Sequence, residues 1–122
     1  MMKTILMAVL ALGLLGANAA EAAVLFSPPL VAEGDNFFDC YLVNVGPGRP
    51  RPVTIEVFNR EGEVVESVKT TLGPGEEDVA RATSDQLPRY CRFQVPGDAK
   101  NFRASVLVRQ DGVGAISALP AQ

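Results

Sequence analysis

The amino-acid sequence predicts an all-β fold, an antiparallel β-sandwich of about seven strands that forms one domain. Short apolar segments with alternating polar positions recur roughly every 8–12 residues, which is the spacing typical of sandwich strands. Clusters drawn from 11 glycines and 9 prolines separate these segments. After residue 19, no apolar stripe repeats with the helical period of about 3.6 residues. A length of 122 residues suits a single domain.

Residues 1–19 have the organisation of a secretory signal peptide. Lys3 supplies a positive start, residues 5–16 are uncharged, and 17–19 form a small-x-small cleavage sequence, with a second such sequence directly after it. Twelve helical residues rise roughly 18 Å, too little for a hydrocarbon core about 30 Å thick. We expect cleavage to leave residues 20–122 as the domain, with ten basic and 14 acidic residues and a net charge of −4.

Four strands are predicted in the first half of this domain. The first, 24–27, is a short apolar segment that ends at a proline pair, which cannot donate hydrogen bonds to a sheet. The second, 36–45, alternates between apolar and polar positions. The third and fourth, 53–59 and 64–72, are separated by a tight turn in which Gly62 supplies a positive φ.

The second half of the domain supplies the remaining strands. A Gly-Pro-Gly turn precedes a weak fifth strand at 77–82, and a polar stretch leads into the sixth at 89–95. The seventh, 102–109, follows a Pro-Gly turn and has apolar side chains at alternate positions. A last short strand is predicted around 115–118.

The chain has two cysteines, Cys40 in the second predicted strand and Cys91 in the sixth. In an oxidising compartment, two thiols of one small domain usually form a disulfide. A redox-active pair is the alternative, but catalytic dithiols typically occur as Cys-x-x-Cys at a helix N-terminus, and the sequence has no such motif. We therefore expect a structural disulfide and an extracytoplasmic location, either secreted or periplasmic.

The positions of Cys40 and Cys91, with the Leu-Gly-Pro-Gly-Glu turn at 72–76, resemble those of immunoglobulin-like and fibronectin-III-like sandwiches. The layout is similar to that of short exported bacterial proteins with this fold. The resemblance implies that the disulfide joins the two sheets. It also implies that the third, sixth and seventh strands share a sheet. A resemblance of this kind implies a fold and no activity.

The sheet that these three strands would share is a candidate binding surface. Arginine and aromatic side chains are enriched at recognition surfaces, since aromatic rings bury much area and arginine donates in a fixed fork. The alternative is a solvated face with a few apolar side chains, as most proteins have. The outward positions are Thr54, Glu56, Phe58, Tyr90, Arg92, Gln94, Arg103, Ser105, Leu107 and Arg109.

The loop 46–52 is a second candidate. Its three prolines favour a stiff, extended backbone. Arg49 and Arg51 would then be displayed with little conformational entropy left to lose on binding. The alternative is that the prolines only make a rigid turn between two strands.

Composition excludes several functions. The chain has no histidine, so it lacks a Ser-His-Asp triad and an imidazole acid–base catalyst. A pI near 4.9 without a basic tract argues against nucleic-acid binding. The acidic runs at 61–66 and 76–78 lack the ligand spacing of a calcium loop, and we expect them to be solubilising charge. We expect no enzymatic activity, no cofactor and no metal.

These observations favour an exported, non-enzymatic module that binds a protein or a surface polymer through the arginine and aromatic positions or the proline-rich loop. The alternative is a structural or accessory subunit of a cell-envelope assembly, in which exposed edge strands make the contacts. The sequence identifies neither the partner nor the oligomeric state. We expect no membrane span once the signal peptide is removed.

The processed protein should have a mass that lacks residues 1–19 and is about 2 Da below the reduced value, because one disulfide removes two hydrogens. Intact-mass spectrometry before and after reduction measures both differences. A full-length mass, or two free thiols in the exported protein, would contradict the prediction of export.

Overall fold

The computed structural model describes residues 22–110 and 114–120. Within them, the chain forms two single-turn 3-10 helices, Ser84–Gln86 and Ala99–Asn101, and eight strands. The strands are β1 (Ala22–Phe26), β2 (Asn36–Asn44), β3 (Arg51–Asn59), β4 (Val64–Leu72), β5 (Glu77–Thr83), β6 (Pro88–Pro96), β7 (Phe102–Gln110) and β8 (Gly114–Pro120).

The strands form two antiparallel sheets of four, which confirms the predicted all-β fold. The strand order is β1-β6-β3-β4 in the first sheet and β5-β2-β7-β8 in the second. Each strand begins and ends within two residues of its predicted bounds. The segment predicted around 115–118 forms β8, so the described chain has eight strands where about seven were expected.

Side chains that face the space between the sheets form one apolar core. Strand alternation places every second residue there, and Phe38, Leu42, Ile55, Phe93 and Val106 are all 0% exposed. Each such side chain contributes roughly 1.5–3 kcal/mol when it is buried. The core therefore comes from both sheets.

A disulfide crosses this core. Cys40 in β2 and Cys91 in β6 are bonded, with their Cα atoms 5.8 Å apart and both residues fully buried. Because β2 belongs to the second sheet and β6 to the first, the bond joins the two sheets. The prediction of one structural disulfide is confirmed.

The strand order differs from the one that the immunoglobulin resemblance implies. In immunoglobulin domains the last strand lies beside the sixth in one sheet. Here β7 pairs with β2 in the second sheet, and β1 occupies the position beside β6. The expectation that the third, sixth and seventh strands share a sheet is therefore wrong.

The connection between β6 and β7 carries the chain from one sheet to the other. The 3-10 turn Ala99–Asn101 lies in this connection. The carbonyl of Asn101 accepts hydrogen bonds from the amides of Val45, at 2.8 Å, and Gly46, at 3.0 Å, directly after β2. These hydrogen bonds place the start of β7 beside β2. A tight hairpin after β6 would instead have placed β7 beside β6.

The predicted signal peptide, residues 1–19, lies outside the described residues. Within residues 22–110 and 114–120, no helix is long and apolar enough to cross a membrane.

Replacing both cysteines (Cys40→Ala with Cys91→Ala) should lower the free energy of unfolding by about 4 kcal/mol, since the bond closes a loop of 51 residues. Urea unfolding of the purified proteins measures this difference. As a control, Ser67→Ala on the exposed side of β4 should change stability by no more than about 0.5 kcal/mol. Equal stability of the double variant and the wild type would contradict the prediction.

Candidate binding surfaces

The structure divides the predicted arginine and aromatic surface between the two sheets. Residues of β3 and β6 share the outer face of the first sheet, whereas the outward residues of β7 lie on the second sheet. The prediction of one continuous surface is wrong for this reason. The candidates on the first sheet are Phe58, Tyr90 and Arg92, and those on the second are Arg103, Leu107 and Arg109.

We call Phe26, Phe58, Tyr90 and Arg92 the aromatic surface. Phe58 and Tyr90 are direct cross-strand partners, and their rings stack with centroids 5.0 Å apart and planes 5° from parallel. The Arg92 guanidinium lies over the Phe58 ring at 4.8 Å. Phe26, from β1, meets the Tyr90 ring at 6.3 Å. The four side chains form one contiguous layer on the outer face.

An ion pair holds Arg92 in this layer. The Arg92 Nε donates to Glu56 Oε1 at 2.7 Å, and Gln94 Nε2 donates to the same oxygen at 2.9 Å. The hydrogen bond from Arg92 is the largest cause that lowers the pKa of Glu56, and burial opposes it. The pair therefore stays ionised at neutral pH, and its two charges cancel on this face.

Exposure differs sharply within the aromatic surface. Phe26 is 47% exposed, whereas Phe58, against which Tyr90 and Arg92 pack, is only 7% exposed. Phe58, predicted as a binding residue, thus supports the layer and offers little area of its own. Val24, the neighbour of Phe26 on the same face of β1, is 50% exposed.

The outer face of the second sheet carries a different arrangement, which we call the arginine–aspartate cluster: Asp39, Arg81 and Arg109. The Asp39 side chain is 0% exposed, and its two oxygens accept from Arg81 Nε at 2.7 Å and Arg109 Nε at 3.0 Å. Both guanidinium groups also lie over the Phe37 ring, at 5.6 and 5.0 Å. The two arginines leave one net positive charge on this face.

Arg81 is a member of this cluster that the sequence interpretation missed. The hydrogen bond to Asp39 is the largest cause that raises the pKa of Arg81. Asp39 and Arg81 are direct cross-strand partners, and opposite charges in such positions attract. The signal in the sequence was Asp39, an acidic residue at an outward position of a central strand. Identifying Arg81 as its partner also requires knowing that β2 pairs with β5.

The remaining candidates on β7 are less prominent. Arg103 is exposed, and its Nη1 donates to the carbonyls of Phe102, at 2.9 Å, and Lys100, at 3.2 Å. Leu107 is half-buried opposite Asp39. Neither joins the aromatic surface, which lies on the other side of the sandwich.

The loop 46–52 displays one arginine instead of two. Arg51 is only 7% exposed. Its Nη1 donates to Asn44 Oδ1 at 3.1 Å and its Nη2 to the Pro47 carbonyl at 3.1 Å. The prediction that Arg51 is displayed is therefore wrong, because its guanidinium satisfies the carbonyls of its own loop, while Arg49 remains exposed.

Two shallow grooves accompany these surfaces. One, of about 350 Å³, extends the outer face of the first sheet between Thr54, Lys69 and Gln94. The other, of about 360 Å³, lies beside Phe37 and Asp85. Within residues 22–110 and 114–120, no three histidine, cysteine or acidic side chains converge as a metal site would require.

Comparison with known proteins supports the fold alone. No protein-family model matches the chain, and no curated protein is significantly similar to it in sequence. The solved structure of Thermotoga maritima 1070 is similar, with a TM-score of 0.51 and 10% sequence identity over 81% of this chain and 91% of that one. At this identity the likeness carries no functional argument.

Asp39→Asn should lower the free energy of unfolding by about 1.5–3 kcal/mol, because it leaves two arginines without their shared carboxylate. Urea unfolding at neutral pH measures the loss. The matched control is Glu61→Gln, which breaks an exposed pair with Arg60 and should cost no more than about 1 kcal/mol. Equal effects of the two variants would contradict a special role for Asp39.

Proposed function

We propose that this protein is an exported, non-enzymatic recognition module that binds a protein or a surface polymer through its aromatic surface. The observation that carries the proposal is the half-exposed Phe26 ring beside Tyr90, which is stacked on Phe58. Aromatic groups that are exposed on one side and packed on the other are typical of contact residues at interfaces.

Contacts within the aromatic surface restrict the side chains of Phe58, Tyr90 and Arg92 before a partner binds. Tyr90 and Arg92 pack against Phe58, and the ion pair with Glu56 holds the guanidinium. Ordering a flexible side chain on binding costs roughly 0.5–1.5 kcal/mol, and this cost is small where the side chain is already held. The surface therefore offers rigid area with little entropic penalty.

The charge of this surface also bears on the partner. Glu56 and Arg92 neutralise each other, the flanking Gln94 and Thr54 are uncharged, and Lys69 of β4 adds a positive charge at the border of this face. A surface of rings and hydrogen-bonding groups with a lysine at its border favours partners that combine apolar patches with polar groups. A protein segment and a polysaccharide of the cell envelope both have this composition.

Export is supported by the disulfide, which is the kind of bond that persists in oxidising compartments. The expected signal peptide at 1–19 is consistent with the same location. In this proposal the protein works outside the cytoplasm, where envelope polymers and secreted proteins are its available partners.

The double variant Tyr90→Ala with Arg92→Ala should lower affinity for the captured partner at least about tenfold, which corresponds to roughly 1.4 kcal/mol. Immobilised wild-type protein first captures ligands from the envelope and secreted fractions of its own cell. Titration of the purified ligand against each variant then gives the dissociation constants.

The matched control is Arg103→Ala with Leu107→Ala, which removes one arginine and one apolar side chain from the other sheet. It should bind like the wild type. The proposal fails if the control loses as much affinity as the test variant, or if the test variant keeps full affinity while both remain folded.

A further inference from the structure

The four sheet edges fall into two pairs. β4 packs against β5 at one side of the sandwich, so β1 and β8 lie at the other side. β4 and β5 carry charged residues within the strand, whereas β1 and β8 have none, and β8 ends in Pro120, which has no amide to donate. Charged residues on an edge strand prevent pairing with other chains. The edge of β1 lacks this protection.

Within residues 22–110 and 114–120, the outward backbone groups of β1 have no hydrogen-bond partner. The amide of Ser27 donates to the carbonyl of Cys91 at 3.0 Å, just beyond the pairing of Phe26 with Arg92. In an antiparallel pair the direction of these groups alternates from residue to residue. The amides and carbonyls of Ala22, Val24 and Phe26 therefore point away from β6.

The side chains beside this edge are apolar and accessible. Val24 is 50% exposed and Phe26 47% exposed. The nearest outward side chains on β6 are Gln94, which is uncharged, and Arg92, which is paired with Glu56. A second strand could approach without meeting an unpaired charge on either side chain.

We propose that β1 pairs antiparallel with β1 of a second copy of this chain, about a two-fold axis that passes between the two Val24 residues. This register forms about six backbone hydrogen bonds, two between the Val24 residues and two in each pair of Ala22 with Phe26. The two first sheets become one continuous eight-stranded sheet across the dimer.

The side-chain sizes fit this symmetric register. The exposed ring of Phe26 lies opposite Ala22 of the second copy, so the largest side chain of the strand meets one of the smallest. A two-fold axis brings the same patch of both subunits together, so that patch must be compatible with itself. A short uncharged strand fulfils this requirement because no like charges meet. The dimer contact uses the backbone of β1 and shares Phe26 with the aromatic surface, whereas Tyr90 and Arg92 take no part in it.

Sedimentation velocity of the wild-type protein, purified as its cell processes it, should show a monomer–dimer equilibrium between about 10 µM and 1 mM. Val24→Pro removes the outward amide and keeps the hydrogen bonds to β6, because proline is tolerated on the free side of an edge strand. It should weaken dimerisation at least about tenfold. A wild-type protein that stays monomeric at 1 mM would overturn the proposal.

A second pair of variants separates pairing from any effect of proline on folding. Val24→Lys places a charge beside the edge and should weaken the dimer, whereas Val64→Lys changes a valine of similar exposure, 45%, on the distant β4 edge and should not. Equal dimerisation of the wild type and Val24→Lys, or equal loss with Val64→Lys, would overturn the proposal.

Hydrogen exchange identifies the pairing strand directly. The amides of Val24 and Phe26 should exchange more slowly as the protein concentration rises, since they are bonded only in the dimer. A dimer in which these two amides exchange at a rate independent of concentration would assign the contact to another surface and overturn the proposal.

Discussion

The disulfide between Cys40 and Cys91 is the constraint on which the rest of the sandwich depends. It joins two central strands, since β2 lies between β5 and β7 and β6 lies between β1 and β3. Holding these two strands together sets the distance and the relative position of both sheets. The space beside the bond is filled by Phe38 and Phe93, both fully buried. The side chains that a partner can reach therefore lie on the outer faces and edges of the sheets.

The sequence predicts the strands well and their neighbours poorly, for a physical reason. Alternation of apolar and polar residues shows which side of a strand faces the core, and it places the strands within two residues. The same alternation suits β7 equally in either sheet. Its position depends on contacts between distant residues, such as the Asn101 carbonyl with the amides of Val45 and Gly46. No local pattern in the sequence contains that information.

Burial of charge is the second feature that local patterns do not show. Asp39 lies at an outward position, which predicts exposure, yet Arg81 and Arg109 enclose it completely. The position of Arg51 in a proline-rich loop also predicts exposure, but its guanidinium donates a hydrogen bond to Asn44 and is buried. For Asp39 the compensating hydrogen bonds come from arginines 42 and 70 residues away, whereas for Arg51 they come from Asn44 and from carbonyls of its own loop. Of the candidate site, the shared face of Phe58, Tyr90 and Arg92 was predicted from alternation and the resemblance, but their stacking and the contribution of Phe26 were not.

The two outer faces differ in the interactions that they can offer. Charges cancel at the aromatic surface, so contact there depends on apolar area and hydrogen bonds that act at short range. The arginine–aspartate cluster keeps one net positive charge, but Asp39 already accepts from the Nε of both arginines. A partner there would compete with that internal pair, whereas at the aromatic surface Phe26 offers area that no internal contact covers. This difference is why the first sheet, and not the more highly charged second sheet, is the stronger candidate for recognition.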